Sequence, residues 1–161
     1  MGLSIVNTVS DPTMDEPMKD TATPLTHEQN QPALYGHLGQ THAIMAQLGY
    51  DPALSALVEL RASQINQCAY CIDMHIAQAR RHGVPQEKLD MLVAWHDVDY
   101  FSDAEKAALA WTEVLTKLEN GADLSAARRD LQTHFSDSEI SIITADIGMI
   151  NLWNRVQKSK H

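Results

Sequence analysis

The sequence predicts an all-α protein with one domain of about six to seven helices. From residue 30 onward, apolar residues recur every three or four positions, and the β-branched residues follow the same spacing instead of alternating. Proline, glycine and capping pairs mark the ends of the helical segments. A chain of 161 residues is long enough for a single domain with a substantial core. We therefore expect no β-sheet.

Composition excludes several classes of partner. The net charge is −9, the sequence pI is near 5.2 and no basic cluster offsets the acidic residues, so we expect no binding to nucleic acid or to an anionic membrane. There is no apolar run of membrane-spanning length, and the N-terminus has neither the positive nor the apolar region of a signal peptide. Two cysteines this close in sequence cannot cross-link a domain of this size. These features predict a cytoplasmic protein.

Residues 1–29 are predicted to be a flexible or subunit-crossing arm, because Pro12, Pro17 and Pro24 interrupt a segment without helical spacing. The helical domain is expected over residues 30–157, followed by a short tail at 158–161. Its first helix begins near Pro32 and ends at Gly49. His37 and His42 lie on this helix, where we interpret them as surface or packing histidines.

The second helix is predicted to open at Asp51-Pro52 and to run to about Ile65. It is apolar on most sides, which is typical of a buried helix. Glu59, Ser63 and Asn66 form a narrow polar seam along it, which we expect to face the helix that follows.

That third helix carries both cysteines. Read as a helix between an N-cap at Asn66 and Gly83, it places Cys68, Cys71 and His75 on one face within an apolar stripe. Unpaired N–H groups and the helix dipole stabilise a thiolate near a helix N-terminus. The stretch therefore has the chemistry of a redox-active dithiol.

Four more helices are predicted toward the C-terminus, over about 86–96, 102–119, 125–134 and from 136 onward. Ser102 with Glu105 and Ser136 with Glu139 are capping boxes. Residues expected to point inward are Leu89, Leu92, Val93, Ala108, Trp111, Leu115, Leu118, Leu131, Ile140, Ile143, Ile147 and Ile150.

Three interpretations of Cys68 and Cys71 compete. They could be two buried cysteines that behave as small apolar residues. They could be ligands of a structural zinc ion together with His75, and Glu59 or His96 could supply the fourth ligand. Against this, the sequence has no second pair of cysteines or histidines at the usual ligand spacing. The third interpretation, a dithiol that cycles through a disulfide, is favoured because a histidine follows one turn after the second cysteine.

His75 and Glu59 are the candidate proton carriers. His75 lies four residues after Cys71, within the reach of an i, i+4 pair, and a base beside a thiol is the usual means of activating it. Glu59 would orient His75 or relay its proton. The alternatives are a core histidine and a solvated or salt-paired carboxylate.

The run from Leu60 to His75, LRASQINQCAYCIDMH, resembles the signature of the AhpD-like alkylhydroperoxidases, which belong to the carboxymuconolactone decarboxylase superfamily. The resemblance covers roughly residues 30–157 and implies an AhpD-like helical bundle that assembles as a homotrimer or homohexamer. It also implies that Cys71 attacks a peroxide, Cys68 resolves the product and His75 with an upstream glutamate relays protons. This sequence differs in two places, since Tyr70 precedes the second cysteine where the family has histidine, and Ala56 stands where the founding members have glutamate. Glu59 lies one turn later.

The resemblance implies a thiol-dependent peroxidase that reduces hydrogen peroxide or organic hydroperoxides, draws electrons from an external dithiol and needs no metal or other cofactor. Two alternatives remain. One is a lyase of the carboxymuconolactone decarboxylase type, whose chemistry does not require the cysteine pair. The other is a redox-sensing or zinc-stabilised oligomeric module without catalytic activity.

Overall fold

A computed structural model describes residues 23–160, and every regular element within that range is helical. The helices are α1 (His27–Asn30), α2 (Pro32–Gln47), α3 (Pro52–Ile65), α4 (Ala69–Arg81), α5 (Gln86–Met91), a 3₁₀ helix (Leu92–Asp97), α6 (Asp103–Lys117), α7 (Leu124–His134) and α8 (Asp137–Lys158). The predicted all-α class is confirmed. The short α1 and the 3₁₀ helix account for the larger number of elements.

The buried helix α3 organises the bundle. It packs against α4, α6 and α8, and eight of its fourteen residues are buried. The sequence favours this central position for α3, because a helix that is apolar on most sides is most stable when all of those sides are buried. The polar residues Glu59 and Ser63 are buried with it, so each needs a partner from a neighbouring helix.

Two hydrophobic clusters lie on either side of α3. One joins α3 to α4, α5, the 3₁₀ helix and α6, and includes Leu57, Leu60, Leu92, Trp95, Phe101 and Leu109. The other joins α3 to α6, α7 and α8, and includes Val58, Ala108, Trp111, Leu131, Ile143 and Ile147. The two clusters hold α3 in place, and α3 in turn fixes the position of Glu59.

The helix starts follow local chemistry. Asp51 caps α3 by accepting a hydrogen bond from Ala53 N, and both predicted capping boxes form, at Ser102 and at Ser136. The predicted N-cap at Asn66 is wrong. Asn66 is the C-cap of α3, Gln67 adopts a positive φ of 53°, and Cys68 is the N-cap residue of α4. The Asn66 side chain instead donates to Asn151 and Asn154 on α8, and these tertiary bonds replace the capping interaction.

Two predicted helices end early, and two predicted core residues are exposed. The helix expected over 86–96 changes to 3₁₀ geometry after Met91, which turns Val93 toward solvent. The helix expected to reach Glu119 ends at Lys117, and Leu118 adopts a left-handed conformation with its side chain exposed. The change of hand at Leu118 rotates it away from the α6 stripe.

The predicted N-terminal arm lies largely outside the described residues. Its final part contacts the end of α8, where Leu25 N donates to Lys160 O at 3.2 Å and Lys160 Nζ lies 2.8 Å from Glu28 Oε1. Within residues 23–160, each helix is too short or too polar to cross a membrane.

Candidate functional site

Cys68 and Cys71 lie at the N-terminus of α4 and are joined by a disulfide, with their Cα atoms 5.3 Å apart. The tight turn at Gln67 aims the chain so that Cys68 N donates to Ser63 O at 3.0 Å. Cys68 is the cap and Cys71 falls in the first turn, where the N–H groups of a helix have no intrahelical partner. Both cysteines are buried. The predicted pair is therefore close enough to cycle between dithiol and disulfide.

His75 lies one turn after Cys71 and is buried. Its Nδ1 atom lies 2.9 Å from Gln78 Oε1 and 3.2 Å from Glu59 Oε2. Both oxygens are acceptors, so Nδ1 carries the proton and, in the neutral ring, Nε2 holds a lone pair. Within the described part of the chain, Nε2 has no hydrogen-bond partner. His75 is thus held in the tautomer of a base.

Glu59 connects the cysteine helix to the rest of the bundle. The residue is 4 % exposed, and its two oxygens lie near different imidazoles, with His42 Nδ1 3.5 Å from Oε1 and His75 Nδ1 3.2 Å from Oε2. The interpretation of Glu59 as a solvated carboxylate is therefore wrong. Of the predicted polar seam, Glu59 reaches the thiol site, whereas Ser63 accepts a hydrogen bond from Asn154 and Asn66 binds α8.

His42 belongs to the site, although the sequence indicated a surface or packing histidine. Its Nε2 atom accepts a hydrogen bond of 3.0 Å from Trp153 Nε1. Because an indole nitrogen can only donate, Nε2 is unprotonated and Nδ1 carries the hydrogen. That nitrogen lies 3.5 Å from Glu59 Oε1. Sequence reasoning missed this role because α2, α3 and α8 meet only in the folded chain.

Asp146 is the second residue that the sequence did not reveal. It is completely buried on α8, and its Oδ2 atom accepts a hydrogen bond of 3.1 Å from Ser55 Oγ. Burial raises the pKa of this carboxyl well above its usual range, and the negative charge of Glu59 raises it further. One signal was present in the sequence, since an acidic residue lies among Ile143, Ile147 and Ile150 on an apolar helix face.

Tyr50 lies beside this carboxyl group. Its hydroxyl is buried, and that burial raises the pKa of the phenol. Tyr50 is therefore neutral at physiological pH.

The side chains of His42, Glu59 and Asp146 approach as closely as metal ligands do, with one atom from each inside 4.8 Å. The hydrogen bonding does not fit a metal, because coordination would need a lone pair on His42 Nδ1. The Trp153 bond leaves that nitrogen protonated. These three side chains therefore suit the holding of protons better than the binding of a metal ion.

A cavity of about 390 Å³ opens beside Cys71. Its polar lining includes His42, Glu59 and His75, and Tyr70, Met74, Ile150 and Trp153 provide apolar surface. A second cavity of about 230 Å³ lies on the other side of Glu59 and is lined by Tyr50, Ser55 and His82, among others. A small, partly apolar molecule could therefore reach the sulfur of Cys71, and Glu59 separates that space from a second one.

Other residues singled out in the sequence lie elsewhere. The ring of His96 stacks on Trp95 at a centroid distance of 3.5 Å, and its Nε2 atom is 3.7 Å from Glu113 Oε1. His96 therefore lies beside Glu113 and not at the cysteine site. Ala56 is buried in a core cluster, and Tyr70 is exposed at the cavity wall.

Residues 33–114, just over half of the chain, match the model of the Carboxymuconolactone decarboxylase family. Similar sequences include the uncharacterized protein YdfG of Bacillus subtilis, 34 % identical over 62 % of this chain and 68 % of that protein. Another is the uncharacterized protein YnjA of Escherichia coli, 30 % identical over 63 % of this chain and 56 % of that protein.

Among solved structures, this fold is similar to a protein of unknown function from Agrobacterium tumefaciens that has been suggested to be the antioxidant defence protein AhpD. The TM-score is 0.80 at 31 % identity, over 86 % of this chain and 95 % of that one. The debrominase Bmp8 in complex with 2,3,4-tribromopyrrole superposes with a TM-score of 0.67 at 22 % identity, over 88 % of this chain and 91 % of that one. At that identity the likeness concerns the fold alone, and one fold can support several chemistries.

Proposed function

Because this chain belongs to the carboxymuconolactone decarboxylase family and carries an AhpD-like cysteine motif, we propose that it is a thiol-dependent peroxidase. Its substrates would be hydrogen peroxide or organic hydroperoxides, and no metal or other cofactor would be needed. The observation that carries the proposal is the position of Cys71, which lies in the first turn of α4 and lines a cavity shared with His75 and Glu59.

Cys71 is the attacking thiol in this scheme. His75 Nε2 accepts the thiol proton, and the resulting thiolate attacks the terminal oxygen of the hydroperoxide. A sulfur–oxygen bond forms as the oxygen–oxygen bond breaks. The departing alkoxide takes the proton back from His75, which leaves an alcohol and a sulfenic acid on Cys71.

Cys68 completes the oxidation. Its sulfur attacks the sulfenic sulfur, the disulfide forms, and the hydroxyl group leaves with the thiol proton as water. An external dithiol then reduces the disulfide and is itself oxidised, so each turnover transfers two electrons from the donor to the peroxide. The buried disulfide on the cavity side of α4 supports this cycle.

Glu59 supports His75 as a base. Its carboxylate lies 3.2 Å from Nδ1, so it holds the ring in one tautomer and stabilises the imidazolium that forms when Nε2 takes a proton. This arrangement also supplies a glutamate to the site although Ala56 occupies the position found in the founding members of the family.

The alternatives differ in what the cysteines do. A lyase would not require the pair, and a zinc-stabilised module would need a fourth ligand, for which His96 is wrongly placed beside Glu113. A redox sensor would be oxidised once by peroxide without sustained turnover. These differences determine the experiment.

The test incubates reduced protein with hydrogen peroxide, or with cumene hydroperoxide, in the presence of a dithiol donor. We expect sustained peroxide loss, with two thiols lost per peroxide when the donor is omitted. Cys71→Ser should abolish the loss. A single equivalent consumed despite excess donor would identify a sensor, and zinc in the purified protein at one equivalent would identify a metal module. Bromide release from 2,3,4-tribromopyrrole without peroxide turnover would identify dehalogenation instead.

We also propose that the protein is a cytoplasmic homotrimer or homohexamer that binds neither nucleic acid nor membranes. Its net charge of −9 supports the absence of nucleic-acid and membrane binding, since an acidic surface repels nucleic acids and anionic membranes.

A further inference from the structure

A buried group of polar side chains lies behind the thiol site, and Asp146 is at its centre. Titratable groups approach Asp146 from three directions, namely His42 of α2, Tyr50 of the turn after it and Glu59 of α3, with His75 of α4 beyond Glu59. The side chains that α6 directs at this part of α8, Trp111 and Thr116, do not titrate. The state of Asp146 therefore depends on these groups and on Ser55.

The two oxygens of Asp146 have different surroundings. Oδ2 accepts from Ser55 Oγ, whereas Oδ1 has no hydrogen-bond partner in the described part of the chain. One oxygen of Asp146 lies within 4.8 Å of a Glu59 oxygen. Two carboxylates this close and out of water cannot both keep a negative charge. One of the pair must hold a proton.

The polar groups around each carboxyl decide which one. Two imidazole N–H groups lie near Glu59, with His75 Nδ1 at 3.2 Å and His42 Nδ1 at 3.5 Å, while His42 Nδ1 is 4.0 Å from Asp146. N–H groups this close stabilise the charge of a carboxylate. Asp146 accepts from Ser55 Oγ, has the neutral Tyr50 hydroxyl beside it and is the more deeply buried of the two. The proton therefore belongs on Asp146.

We propose that Asp146 is a positioning residue of the thiol site that works as a neutral acid, with a proton on Oδ1 directed at Glu59. Glu59 is then the single anion that faces His75. When His75 Nε2 accepts the Cys71 proton, the new imidazolium faces one carboxylate. The positive charge of His75 and the negative charge of Glu59 then cancel. The proposal concerns the thiol of the proposed function and rests on it, but its test uses no peroxide.

The first test measures the alkylation rate of Cys71 against pH in reduced protein that carries Cys68→Ser, so that a single thiol reports. Asn mimics a protonated Asp, because its oxygen can accept from Ser55 and its amide can donate to Glu59. We expect Asp146→Asn to keep the wild-type profile. Asp146→Ala should slow alkylation at neutral pH by about tenfold, and Glu59→Gln by at least that factor, which corresponds to about one unit in the pKa of the thiol.

A merely structural role for Asp146 would not produce this order. The proposal is overturned if Asn and Ala behave alike, or if Asp146→Asn shifts the profile as far as Glu59→Gln, since an ionised Asp146 would then have been removed. If peroxide is not consumed while the profiles follow the expected order, the proposed function fails and the role of Asp146 stands.

The second test begins with the wild-type chain, so its first result does not depend on how well any variant folds. Infrared spectra in H₂O and D₂O should show the carbonyl band of a buried protonated carboxyl group. The band should persist in Glu59→Gln, disappear in Asp146→Asn and shift without loss in Ser55→Ala. Its absence from the wild type overturns the proposal. So does one equivalent of bound Zn²⁺ that depends on Asp146, because a metal site would need both carboxylates ionised.

Discussion

His75 is the residue whose removal should affect thiol chemistry most directly. Its Nδ1 atom is fixed by Gln78 and Glu59, so Nε2 remains available as a base. His75→Ala should slow peroxide reduction by about 10²–10⁴-fold, since this is the usual contribution of a positioned base. Stopped-flow measurement of peroxide loss checks the value. The matched control is His134→Ala at the exposed end of α7, which should change the rate little. Equal rates for His75→Ala and the wild type would remove His75 from the mechanism.

The sequence revealed those site residues that share a helix face or an adjacent turn. Helical spacing relates Cys68, Cys71 and His75 at the start of α4. Glu59 lies on α3, which a short turn joins to α4. His42 lies on α2 and Asp146 on α8, two helices that are far apart along the chain, and neither residue belongs to a sequence motif. Their polar contacts arise only when α2 and α8 pack against α3, so local spacing could not predict them.

At the scale of helices, a polar cluster around Glu113 joins three elements. Glu113 Oε1 accepts from Trp95 Nε1 of the 3₁₀ helix at 2.9 Å and from Arg61 Nη2 of α3 at 2.6 Å. Burial alone would raise the pKa of Glu113, but the hydrogen bonds from Trp95 and Arg61 outweigh it and lower the pKa to about 2. The cluster therefore ties α6 to α3 while its carboxylate stays ionised.

This cluster predicts how stability depends on pH. A carboxyl group whose pKa is lower in the folded state contributes stability above its ordinary pKa of about 4.5, and the contribution disappears as the pH falls toward about 2. Glu113→Gln should cost about 1–3 kcal/mol of unfolding free energy at pH 7, and clearly less at pH 3. Urea unfolding at both pH values measures the difference. Glu119→Gln, at an exposed position shortly after α6, is the control and should be neutral. A cost that does not change with pH would contradict this account.

Helix starts were easier to predict than helix ends. Asp51, Ser102 and Ser136 cap their helices through bonds that are local in sequence, so the residue types alone predict them. The end of α6 at Leu118 and the change to 3₁₀ geometry after Met91 have no comparable local signal. Leu92 and Trp95 are packed in the core, which is consistent with the change to 3₁₀ geometry there. Such tertiary contacts cannot be predicted from the sequence of one segment.

At the scale of the whole molecule, the surface offers a reason for assembly beyond the family resemblance. The apolar core residues of α3 and α8, such as Leu57, Ile143 and Ile147, are buried within the chain. Exposed apolar side chains lie on α2, at Leu34 and Ile44, and at Leu48 directly after it. Apolar surface of this kind is typical of subunit contacts.

Light scattering at micromolar concentration should therefore give a trimer or a hexamer. Ile44→Glu combined with Leu48→Glu should shift the population to smaller species, because it places two charges on that surface of α2. Gln47→Glu, at an exposed polar position on the same helix, should leave the mass unchanged. A wild-type protein that is monomeric at these concentrations would refute the expected assembly.

The central claim is that Cys71 is the thiol that attacks peroxide and Cys68 is the one that resolves it. The most direct measurement treats reduced Cys68→Ser protein with one equivalent of peroxide, adds a dimedone-type probe and locates the label by mass spectrometry. We predict one labelled sulfenic acid, at Cys71, because Cys68 is no longer present to condense with it. The reduced Cys71→Ser protein should neither consume peroxide nor acquire label. Label at Cys68 in that variant, with none at Cys71 in the other, would reverse the two roles, and no label in either would contradict the account.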